Sequence, residues 1–403
     1  MTGGPAQPDA GSAREVFGAF LNLGLMSFGG PIAHLGYFHR EFIERRRWLD
    51  EAQYGHLVAL CQVLPGPASS QLGFALGLIR AGWSGGVAAF LGFTLPSAVL
   101  LLAFARLLPM LGTTAGQAAI HGLKLVAVAV VAQGLMLMAR RLTPDIPRLL
   151  IAAAAGALVV VGASAGAQLC AVGMGAVLGM LFCRQAPGAV TAAFPLRYGT
   201  RAGFAFVILF AVLLALTFAA DHAQAPLTKA AGAFYRVGAL VFGGGHVVLP
   251  LLQEAVVAPG WISTNDFLAG YGAAQAVPGP MFSVAAYLGA RLEGGAAGLA
   301  GAAVSLLAIF LPGLLLLAGT LPLWQAISRR AAALSASAGI NAAVVGLLAA
   351  ALYDPVWTGA VHATVDFVIV LVGFTLLAAT RTSVLVVIAW CVFASAARAA
   401  WST

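Results

Sequence analysis

Charged side chains are scarce in this chain. Lysine, arginine, aspartate and glutamate make up 8% of its 403 residues, where soluble domains carry about 25%. Lysine occurs only at positions 124 and 229. A surface this poor in charge would not keep a globule in water, and no single soluble core could hide a chain that is 61% hydrophobic. A bilayer tolerates both properties. Cysteine is also scarce. Cys61, Cys170, Cys183 and Cys391 are scattered without metal-ligand spacing, so they read as small buried hydrophobes, and no metal or other cofactor is implied. His-Glu-x-x-His is missing and no two aspartates share an apolar run, so an intramembrane enzyme is not expected. The stretch Met1 to Arg14 lacks a basic segment followed by an apolar one, so a cleaved signal peptide is not expected. The net charge of +8 would suit nucleic acid, but the basic residues fall between apolar runs. That is the positive-inside pattern of a membrane protein, so the expected surroundings are a lipid bilayer and no nucleic-acid partner.

Glycine and proline are abundant, at 49 and 19 residues, and membrane helices tolerate both. Their placement reveals an internal repeat. Trp48, Gln62 and Pro65-Gly66-Pro67 recur as Trp261, Gln275 and Pro278-Gly279-Pro280 at one constant offset of 213 residues, which Glu41 and Glu254 share. Phe28-Gly29-Gly30-Pro31 answers Phe242-Gly243-Gly244-Gly245 with a shift of one residue, and Leu95-Pro96 answers Leu311-Pro312. One extra apolar run, 202–220, lies between the copies. A single added crossing between two copies with an even number of crossings inverts the second copy, an arrangement common in secondary transporters. The expected organisation is a polar tail (1–13), a first repeat (14–184), a linker (185–228) holding the extra helix, and a second, inverted repeat (229–403). The fold class is all-α and polytopic, with broken or re-entrant helices.

Full-length apolar runs fall at 86–108, 118–139, 296–320, 334–352, 364–380 and 383–400, with two shorter crossings between Ile146 and Cys183. The arms flanking the Gly/Pro motifs are about half a membrane long. They would form either re-entrant hairpins, giving about nine crossings, or interrupted spanning helices, giving about thirteen. Re-entry keeps Arg40, Arg45, Arg46 and Arg47 on the same side as most other arginines, which favours it and places the N-terminus inside and the C-terminus outside.

Proline removes an amide donor and glycine admits unusual backbone geometry. The breaks at Pro31, Pro65, Pro67, Pro278 and Pro280 therefore leave peptide groups unpaired, at a cost of several kcal/mol each in hydrocarbon unless the site is packed or wet. Half-helix N-termini and free amides suit an anion. The candidate substrate contacts are Ser27, Gly29, Gly30, Gln62, Gly66, Ser69, Ser70 and Gln71 in the first copy. Gly243, Gly244, Gly245, His246, Gln275, Gly279 and Ser283 are those of the second. Tight helix packing and interhelical hydrogen bonds are the plainer roles for these residues. Lys124 lies inside an apolar run with His121 one turn earlier. A charge there is costly, which makes it a candidate anion contact, with snorkelling as the alternative. Glu254 and Glu41 are candidate proton-coupling carboxylates, although an ion pair with nearby arginines suits Glu41 better. A pore lined by the same broken helices is the competing architecture.

With these motifs in place, the chain resembles the chromate ion transporter family in its long, two-domain form. The resemblance rests on Phe28-Gly29-Gly30-Pro31, the charged stretch before Trp48, Gln62 to Pro67, and their echoes at Phe242 to Gly245 and Gln275 to Pro280, and it covers nearly the whole chain. It implies efflux of chromate from the cytoplasm across a bacterial inner membrane, driven by the potential or a proton gradient, with sulfate as a look-alike. Gly245 stands where the first copy has Pro31, a departure between the two copies. The resemblance leaves the substrate of this member open, as it does the oligomeric state, for which a homodimer is one option.

Overall fold

The computed structural model describes residues 11–28, 30–162, 165–183, 194, 196–220, 223–242, 248–292, 298–324, 330–380 and 382–401. Among them the regular structure is entirely helical. The first half holds α1 (Ala13–Met26), α2 (Gly30–His39), α3 (Glu51–Val63), α4 (Ala68–Leu107), α5 (Thr114–Leu142), α6 (Ile146–Gly162) and α7 (Ala165–Phe182). A central helix, α8 (Thr200–Ala220), follows. The second half holds α9 (Pro226–Leu240), α10 (Val248–Val256), α11 (Thr264–Ala276), α12 (Val284–Arg291), α13 (Leu299–Thr320), α14 (Ala331–Ala351), α15 (Thr364–Ala379) and α16 (Val384–Trp401). Six helices, α4, α5, α8, α13, α14 and α16, are long and apolar enough to cross a bilayer.

Local chemistry sets the ends of the short arms. The Asp50 side chain accepts from the Gln53 amide to cap α3, and Ser263, at the matching position, accepts from Asp266 to cap α11. Both helices then stop where Pro-Gly-Pro withdraws amide donors. Pro31 lies in the first turn of α2, where a missing N–H costs nothing. The helix α4 is continuous only by hydrogen bonding. Ala81 and Gly82 leave helical geometry, with Gly82 at φ 67° and ψ −157°. Gly298, which opens α13, has φ 86° and ψ −157°. Both glycines take a left-handed backbone that L side chains rarely adopt, and both turn a short arm into a long helix. A Cβ on Gly77 would meet the side chain of Ala89 at 2.8 Å, so the chain reverses at this turn.

The motif arms fold back into hairpins. In α1 and α2, Phe20 stacks on Phe42 at 4.8 Å and meets Phe38 edge-on at 5.5 Å, while Glu15 near one end reaches Arg46 beyond the other at 4.0 Å. In α3 and the first arm of α4, the Arg80 guanidinium lies 5.4 Å from the ring of Trp48. In α11 and α12, Arg291 pairs with Asp266 at 2.6 Å and the Tyr287 hydroxyl donates to the Asp266 carbonyl at 2.7 Å. Each hairpin thus closes its open ends together and carries its Gly/Pro tip away from them.

The long helices do not respect the sequence halves. The first-half helix α5 packs against α15 and α16, while α14 of the second half packs against α6 and α7. The two copies are intertwined, with scaffold helices exchanged.

Candidate functional site

The Pro-Gly-Pro breaks meet the ends of α1 and α9. The Gly66 amide donates to the Val241 carbonyl at 2.6 Å, and the Gly279 amide donates to the Ser27 carbonyl at 2.9 Å. Ser27 ends α1 and Val241 ends α9, so each Pro-Gly-Pro glycine bonds the end of the helix opening the other copy. The bond satisfies two backbone groups that the breaks would otherwise leave unpaired. It also means that these two glycine amides are engaged within the protein.

Space at both tips is tight. A Cβ on Gly66, at φ +120°, would sit 2.9 Å from the Gly313 Cα, and one on Gly279, at φ +102°, would sit 3.0 Å from Ser97 Oγ. Polar side chains tie the tips across the copies. Gln71 Nε2 donates to the carbonyls of Pro65 and Gly313, both at 2.9 Å, and the hydroxyls of Ser97 and Ser283 lie 2.6 Å apart. His34 Nε2 lies 3.1 Å from the Ser27 carbonyl, and its ring meets Phe93 edge-on. Several buried polar atoms around these tips have no protein partner, namely Ser27 Oγ, His34 Nδ1, Ser70 Oγ, Gln71 Oε1 and Thr94 Oγ1. Hydroxyls can donate to an oxyanion without a fixed counter-charge.

Two sets of the expected residues are thus assembled. Ser27, Gly279 and Ser283 form one with His34, Phe93 and Ser97; Gly66 and Gln71, with Pro65 and Pro67, form the other against Gly313 and Val241. Ser69 is buried beside them. Gly30 has φ +75° and open space where a side chain would go. Gly29, Gly243, Gly244, Gly245 and His246 lie outside the described residues.

The remaining candidates stand apart. Gln62 Oε1 accepts from Arg141 at the end of α5 at 3.4 Å, and Gln275 Nε2 points to Met281 Sδ. Lys124 Nζ donates to Asn265 Oδ1 at 2.8 Å and lines a cavity of about 260 Å³ with Arg291, Asp266 and Gln117. Glu254 lines a separate cavity of about 550 Å³ with Lys229, Arg236, Gln168 and Trp261.

Glu41 belongs to a charged belt at the open ends of the first two hairpins. It binds Arg46 and Arg45, while Glu15 takes Arg80 and Arg46. Burial acts to raise the Glu41 carboxyl, but hydrogen bonds from Arg46 and Arg45 bring it below its ordinary value. In the same belt, the hydrogen bond to Glu51 holds the His39 imidazole above its usual range.

Sequence reasoning did not find Arg141, Asn265, Ser97 or the group formed by His121, Asp366 and Arg398. Their partners lie far away along the chain, and no spacing signals them. The sequence also holds a Gly-x-Ser-x-Gly string, Gly162 to Gly166. A hydrolase elbow needs a strand before its serine, and here a helix precedes it. Ser164 itself lies outside the described residues. No group of three metal-binding side chains occurs among the described residues.

Long apolar helices, broken half-helices that meet tip to tip, and orphaned hydroxyls at the meeting point define a multi-pass helical membrane protein with a polar centre. The chain belongs to the chromate transporter family, whose model matches residues 14–180 and 228–396. It is 29% identical over 346 residues to the probable chromate transport protein of Synechococcus elongatus, covering 85% of this chain and 84% of that one. The chromate transport protein of Pseudomonas aeruginosa is 28% identical over 364 residues, 87% of this chain and 82% of its own length. That of Cupriavidus metallidurans is 29% identical over 343 residues, 84% and 81% of the two chains. No solved structure matches.

Proposed function

We propose that the protein is a secondary carrier that exports chromate, a tetrahedral dianion, from the cytoplasm across a bacterial inner membrane. The observation that carries this reading is the reciprocal pair of tip bonds, Gly66 to Val241 and Gly279 to Ser27. These bonds place one break from each copy against one from the other, and they support a two-fold relation between inverted repeats with a shared centre. A centre built jointly by two moving halves suits alternating access, in which the halves rock about a fixed site. The unpartnered Ser27 and Ser70 hydroxyls at that centre are the proposed oxyanion donors. The Lys124 cavity is a second station on the path, where the Lys124 ammonium, Arg291 and Asn265 attract the anion before or after the centre.

The N-terminus and the belt around Glu15, Glu41 and Arg80 lie on the cytoplasmic side in this reading, and the C-terminus lies outside. Glu254, beside Lys229 and Arg236, and Glu41 are the carboxylates considered for proton coupling. Glu41 already has two arginine partners, which leaves it a structural ion pair.

The test is uptake of radiolabelled chromate and sulfate into everted vesicles, with the pH gradient and the potential collapsed separately. Saturable chromate uptake that stops when the driving gradient is removed is the expected result. Non-saturating flux insensitive to both gradients would make the protein a channel, and sulfate uptake without chromate uptake would reassign the substrate.

A further inference from the structure

A second polar group lies away from the hairpin tips, where α5, α15 and α16 meet. Asp366 is 1% exposed. One carboxylate oxygen accepts from the backbone amides of His362 and Ala363 at 3.1 and 3.0 Å, capping its own helix. The other takes His121 Nε2 at 2.9 Å and a short contact from Arg398. The His362 ring lies parallel to that of His121, 6.4 Å away. A cavity of about 370 Å³ opens on the group, lined by His121, His362, Asp366, Arg398, Ser395 and Gln117. Ser395 is 3% exposed, and its hydroxyl has no partner. An unpartnered buried hydroxyl on a cavity wall marks a place for water. The buried carboxylate therefore meets the cavity through the His121 imidazole.

Position gives this group a consequence. Gln117 lines both this cavity and the one that holds Lys124, so the two share the start of α5 as a wall. His121 and Lys124 are three residues apart on that helix, which sets their Cβ atoms about 5–6 Å from each other. Charged and titratable groups from several elements line the two cavities. These are His121 and Lys124 from α5, His362 from the α14–α15 connection, Asp366 from α15, Arg398 from α16, Asp266 from α11 and Arg291 from α12. With neutral His121, Arg398 balances Asp366, and Lys124 and Arg291 exceed Asp266 by one positive charge. Protonated His121 raises that excess to two, the charge that matches a dianion.

We propose that His121, bonded to the Asp366 carboxylate that also binds Arg398, is a proton-binding site whose occupancy sets the affinity of the neighbouring Lys124 cavity for a doubly charged oxyanion. Linkage makes the effect reciprocal, and binding the dianion draws a proton onto His121. The inference rests on the carrier reading above, and it makes the coupling group an imidazole that bridges a buried carboxylate.

The test uses the purified full-length protein in lipid nanodiscs, with radiolabelled sulfate and chromate at equilibrium. Sulfate stays doubly charged throughout the range, so its own titration does not enter. In the unaltered protein, sulfate affinity should rise about tenfold from pH 8 to pH 5.5, as expected for one added charge beside a partly screened dianion. His121→Gln should hold affinity at the alkaline value, and His121→Arg at the acid value, each with little pH dependence. His362→Gln should keep the wild-type slope. In weak buffer, adding sulfate near pH 6.5 should draw protons from solution, and His121→Gln should abolish that uptake. A wild-type slope retained in His121→Gln, or equal loss of binding in both His121 variants, would overturn the proposal. Failure of the unaltered protein to bind either oxyanion at any pH would instead remove the carrier reading beneath it.

Discussion

Lys124 shows how a single charge is held inside an apolar helix. Its ammonium crosses to Asn265 on α11, with Asp266 and Arg291 on the same cavity wall. Losing it should weaken the attraction for a dianion while leaving the amide of Asn265 in place. Lys124→Met should therefore raise the half-saturation concentration for chromate about tenfold, equal to about 1.4 kcal/mol. Unchanged half-saturation in vesicle uptake would leave Lys124 a purely structural residue. In the charged belt, the bond to Glu51 raises His39 above the free imidazole value. The native state therefore holds this proton more tightly than the unfolded chain. The stabilising contribution is complete below the unfolded value and fades as pH rises through the higher native one. His39→Gln should accordingly remove part of the loss in thermal stability expected as pH rises above the ordinary imidazole value of about 6.5. Melting temperatures of the detergent-solubilised protein and the variant across that rise would check this. A variant curve parallel to wild type would refute it.

At the scale of elements, the tips are the points of least tolerance. Gly66 and Gly279 both need positive φ, and both face an occupied neighbour, but the neighbours differ. The atom in front of Gly66 is the Gly313 Cα, part of a helix backbone, whereas Gly279 faces the Ser97 hydroxyl, which can rotate. Gly66→Ala should therefore cost more transport than Gly279→Ala. Leucine at either place should abolish chromate uptake while the protein still inserts in the membrane. Immunoblots of membranes beside uptake rates decide this, and normal export by either leucine variant would move the site elsewhere. Gly298 offers a contrast, because it also has positive φ but nothing lies within 4 Å of where a side chain would go. Gly298→Ala should lower stability by roughly 1–3 kcal/mol, from backbone strain alone, and leave the half-saturation concentration unchanged.

At the scale of the molecule, the two sets of hairpin ends should face opposite sides of the membrane, because their tips meet in the middle. Glu44 lies beyond α2 and Ala258 beyond α10, and both are exposed. With the exposed Cys170 replaced by serine, Glu44→Cys should react with a membrane-impermeant maleimide only in everted vesicles. Ala258→Cys should react only in intact cells. Labelling of both from one side would end the inverted arrangement and, with it, the shared centre. The exchange of scaffold helices adds a mechanical constraint. Since α5 packs on α15 and α16 while α14 packs on α6 and α7, neither copy can move without carrying helices of the other.

Much of this architecture was legible in the sequence. Runs of apolar residues fixed the long helices to within a few positions, because hydrocarbon demands uninterrupted hydrogen bonding over a known length. The Pro-Gly-Pro and Phe-Gly-Gly motifs marked the breaks, since the covalent structure of proline and glycine acts locally. The repeated spacing tied Trp48 to Trp261 and Gln62 to Gln275 without reference to any fold. What the sequence could not contain was pairing at a distance. That Gly66 bonds Val241, that Lys124 reaches Asn265, and that His121 finds Asp366 all depend on how half-helices and scaffold helices cross. Each such contact joins residues more than a hundred positions apart, and only the packed chain brings their polar atoms within hydrogen-bond range.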